Sequence, residues 1–398
     1  MSSLINSTGS VLGLVGIMLL MLQLILGSRF IISRFTPNTV AANKLHQELG
    51  KYGVVFVLAH VATKTYVYSL PVILSPNANL ADPFEVGVLL GKIAFLLFAI
   101  VWVTSAVLRS KLKYRPWLYI HYLAYPMLLL AMIHAGSIGT VLNTSPVLKG
   151  LWSSLIVISE IFLVYRLAKF LGFGKKEFVL TEKQLVGNDI FVFTFKTVSK
   201  MIFPKVGQYC YLQIKRFGES HPFTVMGMDF DENTLTFGVK ALGTFTKEIS
   251  KIAVGHKIYV DGPYGVFTRE GHNELPKVMI AGGVGITPFI ELIKKYSNKD
   301  TYLFFVNKTI EKAVYRAFLR KELGDKYWDV LSEDGIKGVN IIHGKLDVTI
   351  VKKLIPVEII KDSNFFICGS PSFYKYYRDI LVTAGVLPAK IFYEEFGL

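Results

Sequence analysis

Four histidines lie in stretches of the chain that are otherwise apolar enough to cross a membrane. His46 and His60 are fourteen residues apart, and His121 and His134 are thirteen apart. At about 1.5 Å per residue, each spacing separates two side chains by roughly 20 Å along a helix. A neutral imidazole is a good axial ligand for haem iron, and ligation satisfies a polar group that lipid would leave unpaired. The spacing therefore predicts two stacked haems, each held by one histidine from each of two helices.

The two spacings differ in how well they keep the imidazoles on one face of a helix. At about 100° per residue, fourteen residues return to within about 40° of the starting direction, whereas thirteen fall short by about another 100°. Pro126 lies between His121 and His134, and our hypothesis is that it redistributes the helical twist there. The alternative for a single membrane histidine is a hydrogen bond to a neighbouring helix.

Five apolar runs are long enough to span a bilayer, which takes roughly 17–25 residues. Basic residues are concentrated in alternate connections, above all in 109–115 and 166–176, as positive-inside sorting requires. This pattern predicts a multi-pass protein of the cell (plasma) membrane, with the N-terminus outside and the chain after Lys175 in the cytoplasm. His46 and His121 would serve the inner haem, and His60 and His134 the outer one. The runs cover about residues 11–32, 46–70, 86–108, 117–138 and 147–170.

The composition fits a protein that is partly membrane-embedded and partly soluble. Of 398 residues, 52% are hydrophobic and 18% are charged, which is too apolar for an ordinary soluble protein. The two cysteines, Cys210 and Cys368, allow no disulfide framework, and no Cys-x-x-Cys-His segment is present, which excludes covalent c-type haem. The net charge is +15; many of the basic residues flank the spans, so we expect no nucleic acid partner.

One membrane lysine lies close to the predicted outer haem. Lys64 is one turn beyond His60 on the same helical face. Its ammonium could pair with an anion there, such as a haem propionate. The alternative is a lysine that snorkels to the membrane edge.

The pattern of polar and apolar residues changes after residues 171–176. From there to about Gly265, short runs alternate polar and apolar residues between Gly and Pro, which predicts a small antiparallel β-barrel. From Pro276 onward, strand-like runs such as "KVMIAGG" alternate with helical ones such as "PFIELIKKY", which predicts a doubly wound parallel sheet. We therefore predict domains at residues 1–172, 173–272 and 273–398.

A glycine-rich turn, "AGGVGITPF" at 281–289, joins the first strand of the last predicted domain to its first helix. Its glycines let the backbone approach a ligand, and Thr287 and Pro288 suit a helix start whose amides would face a pyrophosphate. Pro288 replaces the last glycine of the usual dinucleotide pattern, so a plain strand–helix turn is the alternative. Lys308 follows the next strand, where it could meet the 2′-phosphate of NADPH; an ordinary loop lysine is the alternative.

Two segments of the predicted barrel offer a second nucleotide site. "ESHPFTVMG" at 219–227 supplies a short extended segment with a ring and a hydroxyl, and "GTFTKEI" at 243–249 supplies hydroxyls and backbone amides. Together they could cradle a diphosphate. Ordinary barrel loops are the alternative.

These motifs, in this order, resemble the NADPH oxidase and ferric reductase superfamily, particularly its regulator-free bacterial NADPH oxidases. The resemblance spans nearly the whole chain. It implies a multi-domain membrane protein: an all-α transmembrane haem-binding bundle, an antiparallel β-barrel FAD domain and an α/β doubly wound nucleotide-binding domain. The family usually has six spans, whereas five are visible here. The matching motifs are the two histidine pairs, "HPFT" (221–224), "GPYG" (262–265), "GGVGITP" (282–288), "CGSP" (368–371) and "EEF" (394–396).

The resemblance implies a role for each matching residue. Cys368 and Gly369 would lie beside the nicotinamide, and Phe396 would cover the flavin ring and move aside for it; a core phenylalanine is the alternative for Phe396. Gly397 and Leu398 follow this aromatic, whereas many relatives end on it. The nicotinamide nucleotide would be held by Gly282, Gly283, Gly285 and Thr287. FAD would be held by His221, Pro222, Phe223, Thr224, Gly243, Thr244 and Thr246.

The implied activity is electron transfer across the membrane. NADPH or NADH delivers two electrons as hydride, and FAD can pass them singly to the first of two b-type haems. The expected final acceptor is dioxygen outside, giving superoxide. A ferric chelate reached by the same path is the alternative, and a haem-carrying subunit that serves a partner protein is a third reading. We expect association with the lipid bilayer and no obligatory protein partner, since no long insert or calcium-binding loop is present.

Overall fold

The structure is a computed structural model, and it describes residues 2–27, 39–187, 189–199 and 203–395. The chain divides into two compact units. The helices before Ala168 form the first unit, and the chain from Lys169 onward forms the second.

The first unit consists of helices built from long apolar runs. Long apolar helices satisfy all their backbone polar groups internally, which lipid demands. Their core contains Met21, Phe98, Leu128 and Trp152. The helices are α1 (Ser2–Leu26), α2 (Thr39–Tyr68), α3 (Leu70–Leu74), α4 (Pro83–Trp102), α5 (Tyr114–His121), α6 (Ala124–Ile138), α7 (Thr140–Thr144) and α8 (Pro146–Phe170).

Four helical segments of the described chain are long and apolar enough to cross a membrane. They are Ser3–Leu26, Pro83–Val107, Tyr114–Ile138 and Pro146–Phe170, and each overlaps a predicted span. The predicted span at 46–70 also lies in a long helix, the 30-residue α2. That helix carries Lys44, Glu48, Lys51 and Lys64, and these charges lower its hydropathy. The five-span topology therefore stays a prediction.

Two of the membrane helices depart from regular geometry. A π-helical turn, Val103–Val107, continues α4. The predicted fourth span is interrupted at Tyr122 and Leu123, where α5 ends and α6 begins. Pro126 lies in the first turn of α6, where its missing N–H costs nothing. The interruption therefore precedes the proline that sequence analysis held responsible for a change in twist.

The second unit begins with a closed antiparallel barrel in the strand order β1-β2-β5-β4-β3-β6. Apolar side chains alternate along its strands and fill the interior, including Phe178, Phe193, Phe195 and Phe237, which are fully buried. Helix α9 (Thr244–Ile249) lies between the last two strands in sequence. The strands are β1 (Lys176–Val186), β2 (Ile190–Lys196), β3 (Tyr209–Gln213), β4 (His221–Asp229), β5 (Thr234–Lys240) and β6 (Lys257–Tyr264).

A parallel six-stranded sheet follows, in the order β10-β9-β8-β7-β11-β12. The central strands are buried along nearly their whole length, as expected for a parallel sheet covered on both faces. Its strands are β7 (Lys277–Gly282), β8 (Thr301–Asn307), β9 (Tyr327–Leu331), β10 (Ile341–His343), β11 (Asn364–Gly369) and β12 (Ile391–Glu395). Its helices are α10 (Ile290–Tyr296), α11 (Arg316–Leu323), α12 (Val348–Leu354), α13 (Val357–Asp362) and α14 (Pro371–Ala384).

This architecture confirms the predicted fold class of a helical bundle, an antiparallel barrel and an α/β sheet. The bounds predicted for the three domains are a finer statement, and they stay a prediction.

A buried ion cluster secures the edge of the parallel sheet and generates a stability prediction. Asp329 is fully buried, and its carboxylate accepts from Arg316 Nε at 2.6 Å and from the hydroxyl of Tyr327. Asp329→Asn should lower the stability of β8 and β9 by about 3 kcal/mol, because it removes one partner of a buried ion pair. Amide hydrogen exchange in these strands should therefore become roughly a hundredfold faster. Asp300→Asn is the control: its pair with Lys326 is more exposed and should contribute less than about 1 kcal/mol. Equal exchange in the two variants would contradict the prediction.

Candidate cofactor sites

The outer histidine pair is brought together by α2 and α6. The ring centres of His60 and His134 are 6.4 Å apart, and the ring planes are inclined by 75°. His60 Nδ1 lies 2.7 Å from the carbonyl oxygen of Gly9, and His134 Nδ1 lies 2.9 Å from that of Gly87. A carbonyl oxygen can only accept, so each Nδ1 carries the hydrogen and each Nε2 keeps its lone pair.

The inner pair is brought together by α2 and α5. The ring centres of His46 and His121 are also 6.4 Å apart, with the planes inclined by 59°. His121 Nδ1 lies 3.1 Å from Ser105 Oγ, and the ring stacks on Trp117 at 5.1 Å. Ser105 belongs to the π-helical turn, a type of irregularity that often occurs at functional sites. His46 Nδ1 is buried and makes no hydrogen bond of regular geometry with the described residues, although the backbone of Gln23 acts on its ring.

Both pairs have the spacing that two ligands of one metal ion require. An imidazole nitrogen lies about 1.1 Å from its ring centre and a metal–imidazole bond is about 2 Å long, so two rings facing one ion have centres about 6 Å apart. The observed 6.4 Å in both pairs meets this requirement. Within the described part of the chain no group of three or more metal-ligating side chains occurs. Two imidazoles at this separation suit haem iron, for which histidine is a usual ligand.

The membrane lysine is tied to the first helix. Lys64 Nζ donates to the backbone oxygen of Asn6 at 3.1 Å, to Asn6 Oδ1 at 2.5 Å and to Ser10 Oγ at 2.9 Å. An ammonium has three hydrogens to donate, and these three oxygens can take all of them. Lys64 thus bridges α2 to α1, an arrangement that neither of the two sequence-based readings foresaw.

The "HPFT" segment forms the start of β4. His221 stacks on Phe245 of α9 at 4.2 Å between ring centres, and Phe223 lies 5.9 Å from the same ring. Thr224 is buried, whereas Pro222 is exposed. The segment therefore presents its rings toward α9 and its one hydroxyl toward the interior.

The "GTFTKEI" segment forms α9 and the turn before it. Thr246 Oγ1 accepts from the amides of Leu242 and Gly243 at 3.0 and 2.8 Å and donates to Gly243 O at 3.0 Å. Its hydroxyl therefore caps its own helix, which leaves the contact with a phosphate to its neighbours. A groove of about 550 Å³ runs along this helix, lined by Leu242, Gly243, Thr244, Lys247, Glu248 and Lys251.

The glycine-rich turn lies at the carboxyl end of β7, where ligands of parallel sheets bind. Gly283 has φ +54°, a conformation that other residues rarely adopt. Gly285 lies against the backbone of β11, and a Cβ placed there would be 2.9 Å from the carbonyl carbon of Cys368. Gly282 and Gly369 both face the ring of Phe373, and a Cβ at either position would overlap it.

The helix start predicted at Thr287 and Pro288 is wrong. A 3₁₀ turn, Gly283–Phe289, intervenes, and α10 begins only at Ile290. Thr287 is buried, and its hydroxyl donates to Val284 O at 3.1 Å. The close approach of Gly285 to the backbone of β11 accompanies this 3₁₀ turn, so the local packing overrides the usual capping pattern.

Lys308 lies just beyond β8 and is exposed. Its Nζ is 2.6 Å from Glu333 Oε1, and both side chains are more than half exposed. An exposed pair of this kind contributes at most about 1 kcal/mol. Lys308 can therefore exchange Glu333 for another anion at little cost.

A buried thiol and a buried carboxyl meet where β11 and β12 pair. Cys368 is aligned with Glu394 on one side and with Ala281 on the other. Burial raises the pKa of the Cys368 thiol well above its ordinary value, with the Glu394 carboxylate adding to the shift. Burial also raises the pKa of Glu394 to about 8, and the hydrogen bond from Thr224 opposes that shift. Thr224, Cys368 and Glu394 thus form one cluster between the barrel and the sheet.

Phe396, the predicted flavin cover, lies outside the described residues. Three features of the sites were missed from the sequence. Glu394 was quoted only as part of a motif, and Lys247 of α9 and Lys251, just beyond its end, were not singled out, although both line the same cavity. Ser105 gave no signal, because nothing in its neighbourhood indicates a π turn.

Three family descriptions match successive parts of the chain. "Ferric reductase like transmembrane component" matches residues 12–132, "FAD-binding domain" matches 176–268, and "Oxidoreductase NAD-binding domain" matches 279–379. They correspond to the helical unit, the barrel and the parallel sheet.

Curated relatives match at lower coverage. A flavohemoprotein of Bacillus subtilis is 25% identical over 56% of this chain and 59% of its own length. Ferric reduction oxidase 4 of Arabidopsis thaliana is 26% identical over 56% of this chain and 31% of its own length. Dual oxidase 1 of Canis lupus familiaris is 26% identical over 52% of this chain and 13% of its own length. The chain thus spans at most about three-fifths of the length of these relatives.

Among solved structures, a flavohemoglobin of Malassezia yamatoensis with bound FAD and heme matches 99% of this chain and 97% of its own. The TM-score is 0.52 and the identity is 20%, so the likeness concerns the fold alone.

The barrel, the parallel sheet and the matched segments define a flavin- and nicotinamide-binding oxidoreductase with a transmembrane helical part. The chain combines a ferric-reductase-like transmembrane component with an FAD-binding and an oxidoreductase NAD-binding domain, and its relatives include a ferric reduction oxidase and dual oxidases. This confirms the resemblance that the ordered motifs indicated, together with the FAD-binding and NAD-binding domains.

The buried carboxyl of Glu394 generates a prediction on pH. Its pKa is raised on folding, to about 8, so between its ordinary pKa and pH 8 the folded protein holds a proton that the unfolded chain releases. Stability should therefore fall as pH rises through this window, by up to about 1.4 kcal/mol per pH unit, and level off above it. Glu394→Gln should remove this slope, as measured by melting temperature from flavin fluorescence between pH 5 and 8. The control is Glu232→Gln, which removes an exposed pair with Lys196 and should keep the dependence of stability on pH. If that dependence persists in Glu394→Gln and disappears in the control, Glu394 is not the titrating group.

Proposed function

We propose that this chain is a transmembrane NAD(P)H oxidase that passes electrons from cytoplasmic NADPH or NADH through FAD and two b-type haems to dioxygen outside, giving superoxide. The proposal rests on two histidine pairs, in each of which the imidazole ring centres are 6.4 Å apart. They occur in the same chain as FAD-binding and NAD-binding domains. The two histidines that α2 contributes are roughly 20 Å apart along it, which would place the two haems at different depths.

The four histidines would hold the two haems, which would supply one-electron transfer when bound. His46 and His121 would form the inner site, and His60 and His134 the outer one, from which dioxygen would be reduced. Because two imidazoles would be committed to each haem, the described pairs leave no further histidine at either site to bind dioxygen. The protein's own contribution is to fix these ligands and to exclude competing polar groups.

In the second unit, the chain would hold two nucleotides. The FAD site would comprise His221, Pro222, Phe223, Thr224, Gly243 and Thr244. Thr246 would support it by capping the start of α9, and Lys247 and Lys251 would supply positive charge for the diphosphate. The nicotinamide nucleotide would lie on Gly282, Gly283, Gly285, Thr287 and Gly369, with Lys308 near a 2′-phosphate. Cys368 and Phe396 would lie at the nicotinamide and the flavin ring, where hydride passes.

The charge distribution supports one topology. Basic connections concentrated on one side are the basis for proposing that the dehydrogenase part lies in the cytoplasm and the N-terminus outside a cell (plasma) membrane. The partners are then the bilayer and the small molecules NAD(P)H and dioxygen. We propose no nucleic acid partner and no obligatory protein partner.

A transmembrane ferric-chelate reductase with the same electron path is the second candidate, because one of the relatives is named a ferric reduction oxidase. The two can be separated with purified protein and NADPH. An oxidase reduces cytochrome c in a reaction that superoxide dismutase suppresses. A ferric reductase instead gives the colour of a ferrous chelator in anaerobic buffer, and that colour without superoxide would overturn our choice.

The histidine assignment gives a direct prediction. His60→Ala should remove about half of the pyridine haemochrome signal and abolish superoxide production, while flavin reduction by NADPH persists, because only one iron loses an axial ligand. His343→Ala, an exposed histidine of the parallel-sheet domain, is the control and should leave haem content unchanged. Full haem content in His60→Ala would reject the assignment.

The flavin assignment can be tested in the same way. Thr224→Ala should weaken FAD binding about tenfold, since a buried hydroxyl that hydrogen-bonds contributes roughly 1–1.5 kcal/mol. The measurement is an FAD titration followed by fluorescence quenching. Thr181→Ala, whose hydroxyl meets only a neighbouring strand at Thr194 O, should bind FAD as the unaltered protein does; equal affinity in both variants would exclude Thr224 from the site.

A further inference from the structure

Each histidine of the outer pair is positioned by the same arrangement of two glycines, one arrangement on α1 and the other on α4. In each case one imidazole lies beside two glycines that are one helical turn apart. The carbonyl of the first accepts the Nδ1–H, and the second lies against the ring. We name these the α1 notch, formed by Gly9 and Gly13 around His60, and the α4 notch, formed by Gly87 and Gly91 around His134.

Helix geometry explains why the second residue of each notch is glycine. A helical side chain covers the surface over the turn that precedes it, so the residue at i+4 normally shields the carbonyl at i. A Cβ at Gly13 would lie 2.6 Å from His60 Nδ1, and a Cβ at Gly91 would lie 2.9 Å from His134 Cγ and closer still to Nδ1. Any other residue would push the ring away from the carbonyl. The notch is therefore what admits the hydrogen bond.

The inner pair has no such device among the described residues. His121 Nδ1 meets Ser105 Oγ, which also accepts from Trp117 Nε1 at 3.1 Å. His46 Nδ1 is buried; the backbone of Gln23 acts on its ring, but the ring makes no hydrogen bond of regular geometry with the described residues. A hydroxyl shared by two rings and a backbone oxygen reached without regular hydrogen-bond geometry are weaker acceptors than the two carbonyls of the outer pair. The two sites therefore differ in how strongly their ligands are polarised.

We propose that the two glycine notches are positioning elements that make the outer histidines stronger iron ligands than the inner ones and so lower the reduction potential of the outer haem. This inference rests on the proposed haem-binding function. A hydrogen bond from the far ring nitrogen fixes the tautomer and raises the basicity of the ligating nitrogen. A more basic ligand favours the oxidised iron, which makes the outer site the better one-electron donor to an acceptor outside.

The test uses Gly13→Ala and Gly91→Ala in the full-length, haem-loaded protein. Each methyl group should break one carbonyl hydrogen bond and leave the inner pair untouched. The expected result is a change confined to one of the two haems: either its midpoint potential rises and its low-spin EPR signal shifts, or it is lost while the other stays at full content. Spectroelectrochemical titration and EPR read this without any turnover assay.

The matched control is Gly16→Ala on the same face of α1. A Cβ there would lie 3.0 Å from Val57 and touch no imidazole, so it tests helix packing alone. Unchanged potentials and EPR signals in Gly13→Ala and Gly91→Ala would overturn the inference, and so would the same change in Gly16→Ala. Wild-type protein that takes up no haem would instead refute the proposed function, and the two failures are therefore distinct.

A measurement on the unaltered protein tests the inference even if the variants fail to fold. Pulsed EPR detects the quadrupole coupling of the far imidazole nitrogen, which decreases as its hydrogen bond strengthens. We expect two classes of nitrogen, with the smaller coupling at the haem of lower potential. A single class, or the reverse assignment, would overturn the inference.

Discussion

The membrane half of this protein depends on how imidazoles are satisfied where water is absent. A buried polar group without a partner costs several kcal/mol in hydrocarbon, and four histidines multiply that cost. The structure meets it with paired rings, backbone carbonyls and one serine hydroxyl. Much of the local irregularity of the bundle, including the glycine pairs on α1 and α4 and the π turn after α4, lies where an imidazole needs a partner.

In the second unit the main constraint is the close approach of one backbone segment to another. Gly285 lies against the end of β11, and Gly282 and Gly369 accommodate Phe373. This packing brings Thr224, Cys368 and Glu394 together from the barrel and the sheet. The residues that would meet the flavin and the nicotinamide thus come from three separate strands.

The sequence allowed the three-part fold to be predicted, because apolar runs, alternating strands and strand–helix repeats are long-range patterns that local chemistry seldom overrides. It also identified the histidine pairs, since their spacing alone indicates two depths. It did not reveal the interruption at Tyr122 and Leu123, which precedes Pro126, nor the 3₁₀ turn that displaces the expected start of α10. Glu394 and Ser105 escaped because their roles arise only from tertiary neighbours.

The interruption between α5 and α6 has a mechanical consequence. His46 and His60 share one continuous helix, so any tilt of α2 moves both together. Between His121 and His134 the helix is irregular at Tyr122 and Leu123, although backbone hydrogen bonds continue through this turn. The relative direction of these two imidazoles therefore depends on the local twist of a few residues, whereas that of His46 and His60 is set by one regular helix.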